Sequence, residues 1–76
     1  MVLSELQKGD RATIIRINAE PTLKNRLNSF GVVRGESLRV KGCSLAKQTM
    51  EIEVEGTLLA LREEEAKKIE VEKVVE

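Results

Sequence analysis

Hydrophobic and charged residues alternate most regularly at residues 49–55, where the sequence reads TMEIEVE. A period of two places Met50, Ile52 and Val54 on one face of a strand and three glutamates on the other. The apolar face needs a core to pack against, whereas the acidic face is suited to water. This segment therefore predicts a strand of an antiparallel sheet with one solvated side.

Four further segments predict strands. Residues 11–17 (RATIIRI) are rich in β-branched side chains, and residues 37–41 alternate up to Gly42, which is predicted to end that strand. Residues 57–61 predict the second strand of a hairpin, and the apolar positions Ile69, Val71 and Val75 predict a closing strand. The chain thus supplies five short strands.

One segment between the first two strands has a helical period. Leu23, Leu27 and Phe30 are spaced by four and three residues, so they share one face of a helix predicted to begin at Pro21. Leu27 and Phe30 are therefore predicted to be core residues. Gly31 is predicted to cap the helix in a left-handed conformation.

A shorter helical turn is predicted within residues 62–69 (REEEAKKI), because its glutamates precede its lysines as the helix dipole favours. Five short strands cannot leave two open edges without inviting contacts between molecules, so closure into a barrel is expected. The predicted fold is mainly β and forms a single domain over residues 1–76. It is a small five-stranded barrel with one inserted short α-helix and a short helical turn before the last strand. Any edge left uncovered would permit weak self-association.

Four short motifs follow one another along the chain. They are Leu3, Leu6 and Gly9 (L-x-x-L-x-x-G); Arg26, Leu27, Phe30, Gly31 and Gly35 (R-L-x-x-L/M-G-x-x-P-G); Leu59, Ala60, Leu61 and Arg62 (L-A-L-R); and Ala66, Ile69 and Val71 (A-x-x-I-x-V). In this order and spacing they resemble the FeoA family over nearly the whole chain. The resemblance implies an SH3-like barrel whose structural positions are Leu27, Phe30, Gly31, Gly35, Leu59, Leu61 and Arg62.

The resemblance also implies a function and shows two departures. FeoA proteins are cytoplasmic accessory proteins that act with FeoB, a membrane permease for Fe²⁺ with a cytoplasmic GTP-binding domain. Arg34 stands where the family usually has proline, and residues 43–48 (CSLAKQ) replace an A-P-x-G-D-P-like loop. Because the same fold forms the C-terminal domain of some metal-dependent repressors, a detached regulatory domain of that kind is a weaker alternative.

Charge is balanced overall but divided along the chain. Residues 1–49 carry nine Lys/Arg and four Asp/Glu, a net of +5, and residues 50–76 carry four and nine, a net of −5. Either the two halves lie side by side and form weak ion pairs, or a basic face is available to an acidic partner. There is no signal-like start and no apolar run of the roughly 20 residues that span a bilayer, so a cytoplasmic protein not inserted in the membrane is expected.

Few side chains could support metal binding or catalysis. The chain has no His, Trp or Tyr, and Cys43 is its one cysteine, which excludes an internal disulfide. Consecutive glutamates at 63–65 do not converge on one point, so no metal site and no cofactor are predicted. Lys41 and Lys47 could activate the Cys43 thiol, but a small residue beside a turn is the favoured interpretation. No nucleophile has a base to activate it, and an enzyme is not expected.

Binding is the remaining class of function. The basic segment 24–41 allows an alternative as a small nucleic-acid-binding barrel, but with Phe30 assigned to the core no side chain is left to stack on bases, and no nucleic-acid partner is expected. Recognition of proline-rich peptides needs an aromatic-lined groove that this composition cannot build. The candidate partner-binding residues are Arg26, Val32, Val33, Arg34 and, in the atypical loop, Leu45. The valines could equally serve only to seat the turn.

Overall fold

The computed structural model describes residues 1–44 and 48–75, which form strands β1–β5, helices α1 and α2, and an N-terminal 3₁₀ turn. Their bounds are Leu3–Glu5 (3₁₀ turn), Arg11–Ile17 (β1), Pro21–Ser29 (α1), Ser37–Cys43 (β2), Thr49–Val54 (β3), Thr57–Arg62 (β4), Glu63–Ala66 (α2) and Ile69–Lys73 (β5). The predicted order of elements and the mainly β class are confirmed. None of the described helices is long and apolar enough to cross a membrane.

The five strands form one antiparallel sheet in the order β4-β3-β2-β1-β5. Within the described segments β4 and β5 do not pair with each other, so the sheet closes only incompletely and the predicted five-stranded barrel is a loose one. The 3₁₀ turn packs on β5 and α2, and α2 packs on β3 and β4. The N-terminus covers the edge of β5, because the Val71 N–H donates to the Met1 carbonyl at 2.8 Å and Val2 bridges to Glu70.

Aliphatic side chains fill the space between the sheet and these covering segments. The fully buried large residues come from every part of the chain: Leu3, Leu6, Ile14, Leu27, Val32, Val40, Ile52, Val54, Leu61 and Ile69. Met50, Ile52 and Val54 of β3 all face this core, as their alternation predicts. A core of many small contributions from separate segments therefore holds the short elements in place.

Gly42 does not end the second strand, contrary to the prediction. β2 continues to Cys43, and its pairing with β3 shifts between Val40 and Gly42. Lys41 is the extra residue of a β-bulge, which glycine tolerates beside it because it has no side chain to place. The strand bends there instead of stopping.

Phe30 is not a core residue, contrary to the helical-period prediction. α1 ends at Ser29, and Phe30 is its C-cap, with φ −95° and ψ 5°, followed by Gly31 at φ 93°. Leaving the helical path turns Phe30 away from the stripe that Leu27 belongs to, and it is 45% exposed. The predicted helix start at Pro21 and the left-handed glycine cap are confirmed.

Candidate interaction surface

A groove opens on each side of α1. The first, which we call the basic groove, lies between α1, β1 and the turn before β2 and has a volume of about 630 Å³. Its lining consists of three cations, one amide and three aliphatic side chains: Arg16, Lys24, Arg34, Asn28, Ile15, Ile17 and Val33. In residues 1–44 and 48–75 no carboxylate is part of this lining.

A bulge in β1 brings Ile15 into the basic groove. Ile14 pairs with Val71 and Arg16 with Glu70, so Ile15 is one residue more than β5 can match. Ile14 stays wholly buried, whereas Ile15 is half-buried and Arg16 is exposed. The bulge therefore shifts the inward and outward alternation and presents an aliphatic and a cationic side chain side by side.

The turn before β2 also contributes to the lining of the basic groove. The Glu36 N–H donates to the Val33 carbonyl at 3.1 Å, and Gly35 has φ 92°, which is the geometry of a type II turn with Arg34 at its first central position. The Gly35 N–H donates to the Ile14 carbonyl at 2.7 Å, and the Ile14 N–H donates to the Glu36 carbonyl at 2.8 Å. The turn is thus fixed to β1, with Val33 half-buried and Arg34 exposed.

The cations of the basic groove differ in their partners. Arg16 lies 3.5 Å from a carboxylate oxygen of Glu70 on β5. Lys24 and Arg34 are both exposed, and neither pairs with a carboxylate in the described part of the chain. One cation on α1 and one on the turn before β2 therefore have no carboxylate partner within residues 1–44 and 48–75 and are available to a ligand.

The second groove lies between α1 and β4. Its lining is Arg26, Leu27, Phe30, Leu59, Ala60, Leu61, Arg62 and Glu65. The α1 cation in this groove, Arg26, is already paired, because its Nη2–H donates to Glu65 Oε2 in an ion pair. The other oxygen of Glu65 accepts the Arg62 N–H at 2.9 Å, so this carboxylate joins α1 to the start of α2.

The structure separates the predicted partner-binding residues. Val33 and Arg34 line the basic groove, whereas Arg26 lines the groove on the other side of α1. Val32 was predicted to face a partner, and this is wrong for its side chain, which is wholly buried. Leu45 lies outside the described residues.

Sequence reasoning missed Ile15 and Arg16 as members of the same surface. A regular strand would place them on opposite faces, and only the pairing of β1 with β5 reveals the bulge. Two further cations of the basic segment 24–41, Arg39 and Lys41, lie on β2, outside the basic groove. Arg39 stands opposite Glu53 of β3. Among the positions that the family resemblance implied to be structural, Leu61 is buried, Leu59 is half-buried and Arg62 is exposed.

Metal-binding and acid–base groups are sparse on the described surface. Residues 1–44 and 48–75 contain no group of three or more His, Cys, Asp or Glu side chains that could hold a metal ion. Cys43 is exposed at the end of β2. Near the hairpin turn, the negative charge of Glu55 and a hydrogen bond between the two carboxyl groups raise the pKa of Glu36 above its ordinary value of 4.5.

Comparison with known proteins places this arrangement in a family. Residues 1–73 match the FeoA domain family. A Campylobacter jejuni protein that carries the name Fe(2+) transport protein A is 42% identical over 71 residues, covering 93% of this chain and 96% of that protein. A Porphyromonas gingivalis fusion of Fe(2+) transport protein A with the Fe(2+) transporter FeoB is 35% identical over 72 residues, covering 95% of this chain and 8% of the fusion.

Solved structures share the fold. The solution structure of the FeoA protein from Chlorobium tepidum has a TM-score of 0.93 and 39% identity, covering 99% of this chain and 71% of that one. The zinc complex of FeoA from Stenotrophomonas maltophilia, described as a procaryotic SH3 domain protein, has a TM-score of 0.83 and 30% identity, covering 95% and 89% of the two chains. The loose barrel is therefore SH3-like, as the resemblance implied.

Proposed function

Because this chain belongs to the FeoA domain family, we propose that it is a cytoplasmic, non-enzymatic accessory protein of ferrous iron transport that binds the cytoplasmic part of a FeoB-like Fe²⁺ permease. The observation that carries the proposal is the Porphyromonas gingivalis fusion, in which a relative of nearly this whole chain belongs to the same polypeptide as FeoB. Fusion keeps two partners at a high effective concentration, which is useful only if they act together.

The surface of the chain supports binding rather than chemistry. The basic groove combines an aliphatic floor with Lys24 and Arg34, which have no carboxylate partner in the part of the chain that the structure describes, and the second groove exposes Phe30 beside β4. Such a mixture of apolar area and a charged rim is usual for non-obligate protein interfaces. We therefore expect the accessory role to rest on docking.

Docking can regulate a permease only through a difference in affinity. A protein that binds two conformations of its partner equally well shifts neither, whereas preferential binding of one conformation raises its population. The proposed effect on nucleotide cycling, assembly or gating therefore requires that this chain bind one state of the permease more tightly than another.

A nucleic-acid-binding role is the competing proposal, and two observations bear on it in opposite directions. Exposure of Phe30 provides one aromatic surface for stacking. However, Phe30 lines the groove on the other side of α1 from Lys24 and Arg34, and it is the only aromatic residue of the chain. A base stacked on Phe30 would therefore lie in a different groove from Lys24 and Arg34.

The test is a titration of the isotope-labelled chain with the full-length permease in lipid nanodiscs. We expect saturable loss of amide signals, and a matched titration with empty nanodiscs should leave the spectrum unchanged. Measurements with GDP and with a non-hydrolysable GTP analogue should give different affinities. Absence of binding in both nucleotide states, together with saturable binding of single-stranded RNA at physiological salt, would overturn the proposal in favour of the nucleic-acid alternative.

A further inference from the structure

The basic groove is lined by both aliphatic and cationic side chains, and this combination limits the kind of ligand that it can bind. We propose that it binds an extended acidic segment of a partner protein, with one apolar side chain on the floor of Ile15 and Val33 and carboxylates beside Lys24 and Arg34. The proposal deepens the proposed function, because it names the kind of segment that the permease would present. Its occupant is an acidic peptide segment and not a small molecule.

The backbone that carries Ile15 and Val33 is already fixed in the unliganded protein. Ile15 is fixed by the bulge in β1, and Val33 by the turn whose amide and carbonyl groups bond to Ile14. Both side chains are half-buried, so each already packs on one side and exposes the other. Binding an apolar side chain there needs no rearrangement of the backbone, which removes one cost of association.

The charges on the rim require a ligand of opposite sign. Lys24 belongs to α1 and Arg34 to the turn, and neither has a carboxylate partner within residues 1–44 and 48–75, so two separate elements each contribute an available cation to the groove. A carboxylate beside each would form a charge-assisted hydrogen bond, which is stronger than one between neutral groups. An arginine guanidinium can also take a carboxylate with two hydrogen bonds, and this favours a defined register of the segment.

The aliphatic floor favours a peptide over a nucleic acid. Phosphates would satisfy the rim, but bases bind proteins by stacking on planar side chains, and the three apolar residues lining this groove are two isoleucines and a valine. Leucine, isoleucine or valine side chains bury well against such a surface. Acidic and apolar residues in alternation within an extended segment would meet both requirements.

The direct experiment uses four probes at low and physiological salt: a short peptide of alternating glutamate and leucine, its glutamine–leucine counterpart, its glutamate–serine counterpart, and a single-stranded oligothymidylate. We expect the glutamate–leucine peptide to bind most tightly and to shift the amides of residues 15, 16, 24, 33 and 34. Binding should weaken as salt is raised. Equal affinity for the glutamine–leucine peptide, or tighter saturation of these amides by oligothymidylate, would overturn the proposal.

Charge reversal identifies the surface. Lys24→Glu and Arg34→Glu should each weaken binding of the glutamate–leucine peptide at least about tenfold, because each replaces a charge-assisted bond with repulsion. Lys8→Glu is the matched control, since Lys8 is exposed in a turn that lines none of the grooves around α1. Equal weakening by Lys8→Glu would show a non-specific effect of net charge and would also overturn the proposal.

A neutral variant tests the floor separately. Val33→Thr keeps the shape and the charge but makes the floor more polar, so it should weaken the glutamate–leucine peptide about fourfold. The glutamate–serine peptide should be unaffected by the same change. If Val33→Thr weakens the binding of both peptides equally, the proposed contact between an apolar side chain of the segment and Val33 is wrong. Concentration-dependent shifts at the same amides without any peptide would identify a second copy as the occupant instead.

The same variants separate this inference from the proposed function. If the permease binds the wild-type chain and the Arg34→Glu variant equally well, the groove assignment fails and the accessory role stands. If the glutamate–leucine peptide binds the groove but the permease does not bind at all, the accessory role fails and the groove assignment stands. Loss of permease binding in both charge-reversal variants, but not in Lys8→Glu, supports both.

Discussion

The Val32 N–H donates to the Leu27 carbonyl at 3.0 Å, and the side chains of both residues are wholly buried. A second bond runs from the Gly31 N–H to the Asn28 carbonyl, also at 3.0 Å. Together the two bonds form a Schellman motif, in which the residue after the left-handed glycine packs against the helix turn that it bonds. Val32 therefore occupies the core position that the helical period assigned to Phe30.

Gly31→Ala should lower the free energy of unfolding by about 1–2 kcal/mol, because an L-residue is strained at φ 93°. The cost is conformational, since a Cβ at this position would lie at ordinary contact distance from Glu55 and Val54. Gly42→Ala is the matched control. Gly42 does not have a left-handed φ, and a Cβ there meets no atom within 4 Å of the described chain. Urea unfolding of the two variants should therefore give clearly different midpoints.

Val32→Ala should destabilise the protein more than Phe30→Ala does, although it removes fewer atoms. Val32 is wholly buried, and losing two methyl groups from a packed site costs about 2 kcal/mol. Phe30 is 45% exposed, so its truncation should cost well below the 3–5 kcal/mol typical of a buried aromatic residue. Thermal unfolding of both variants measures the order, and the reverse order would contradict the burial of these two residues.

Features that depend on neighbouring residues in the sequence were predictable. The β-branched run of β1, the start of α1 at Pro21 and its left-handed end at Gly31 each follow from local backbone preferences, and the structure has all three. The two bulges were not predictable, because an extra residue is defined only by the strand that it pairs with. Ile15 is such a residue on β1, and Lys41 on β2.

The candidate surface was predictable only in part for the same reason. Val33 and Arg34 lie in a turn, and sequence patterns mark turns well. Their neighbours Arg16 and Lys24 come from a strand and a helix that precede the turn, and only the three-dimensional fold brings these side chains to one groove. Arg26, although two residues from Lys24, points to the other side of α1 because of the helical period.

Glu65→Ala should destabilise the protein more than Arg26→Ala. Both variants lose the ion pair between the two side chains, and an exposed partner limits its contribution to about 0.5–1 kcal/mol. Glu65→Ala also loses the acceptor for the Arg62 N–H at the start of α2, which costs about 1 kcal/mol more.

Glu65→Gln is the control for that comparison, because it keeps an acceptor for the Arg62 N–H while removing the charge. The free energy of unfolding of Glu65→Gln, measured by chemical denaturation, should lie between those of the other two variants or equal that of Arg26→Ala. Arg26→Ala should also leave binding of the glutamate–leucine peptide unchanged, since Arg26 does not line the basic groove. Loss of peptide binding in this variant would contradict the separation of the two grooves.

Glu36→Gln should stabilise the protein at neutral pH and have little effect in acid. The Glu55 carboxylate raises the pKa of Glu36 above 4.5, so the folded protein binds this proton more tightly than the unfolded chain does. In the wild-type protein, the stabilisation that comes from binding this proton is fully present below pH 4.5 and is lost as the pH rises through the raised pKa. The repulsion that the variant removes therefore exists only above that range. Urea unfolding from pH 3 to pH 7 should show the difference between variant and wild type growing with pH.

Glu55→Gln provides the matching test for the same carboxylate pair. Removing either charge removes the same repulsion, so each single variant should give a similar gain at pH 7 and the double variant little beyond one of them. A pH profile of Glu36→Gln that runs parallel to the wild type would contradict the coupling between the two side chains.

Arg34→Pro should raise stability and lower affinity at once. Arg34 occupies the first central position of a type II turn, where proline is favoured, and its N–H donates to no backbone carbonyl in the described chain. Fixing φ in the unfolded chain as well should add about 0.4–1 kcal/mol to the free energy of unfolding. The same change removes a rim cation, so the glutamate–leucine peptide should bind less tightly. Arg34→Ala separates the two effects, because it should weaken peptide binding without the gain in stability. If Arg34→Pro unfolds earlier than Arg34→Ala in urea, the type II assignment of this turn is wrong.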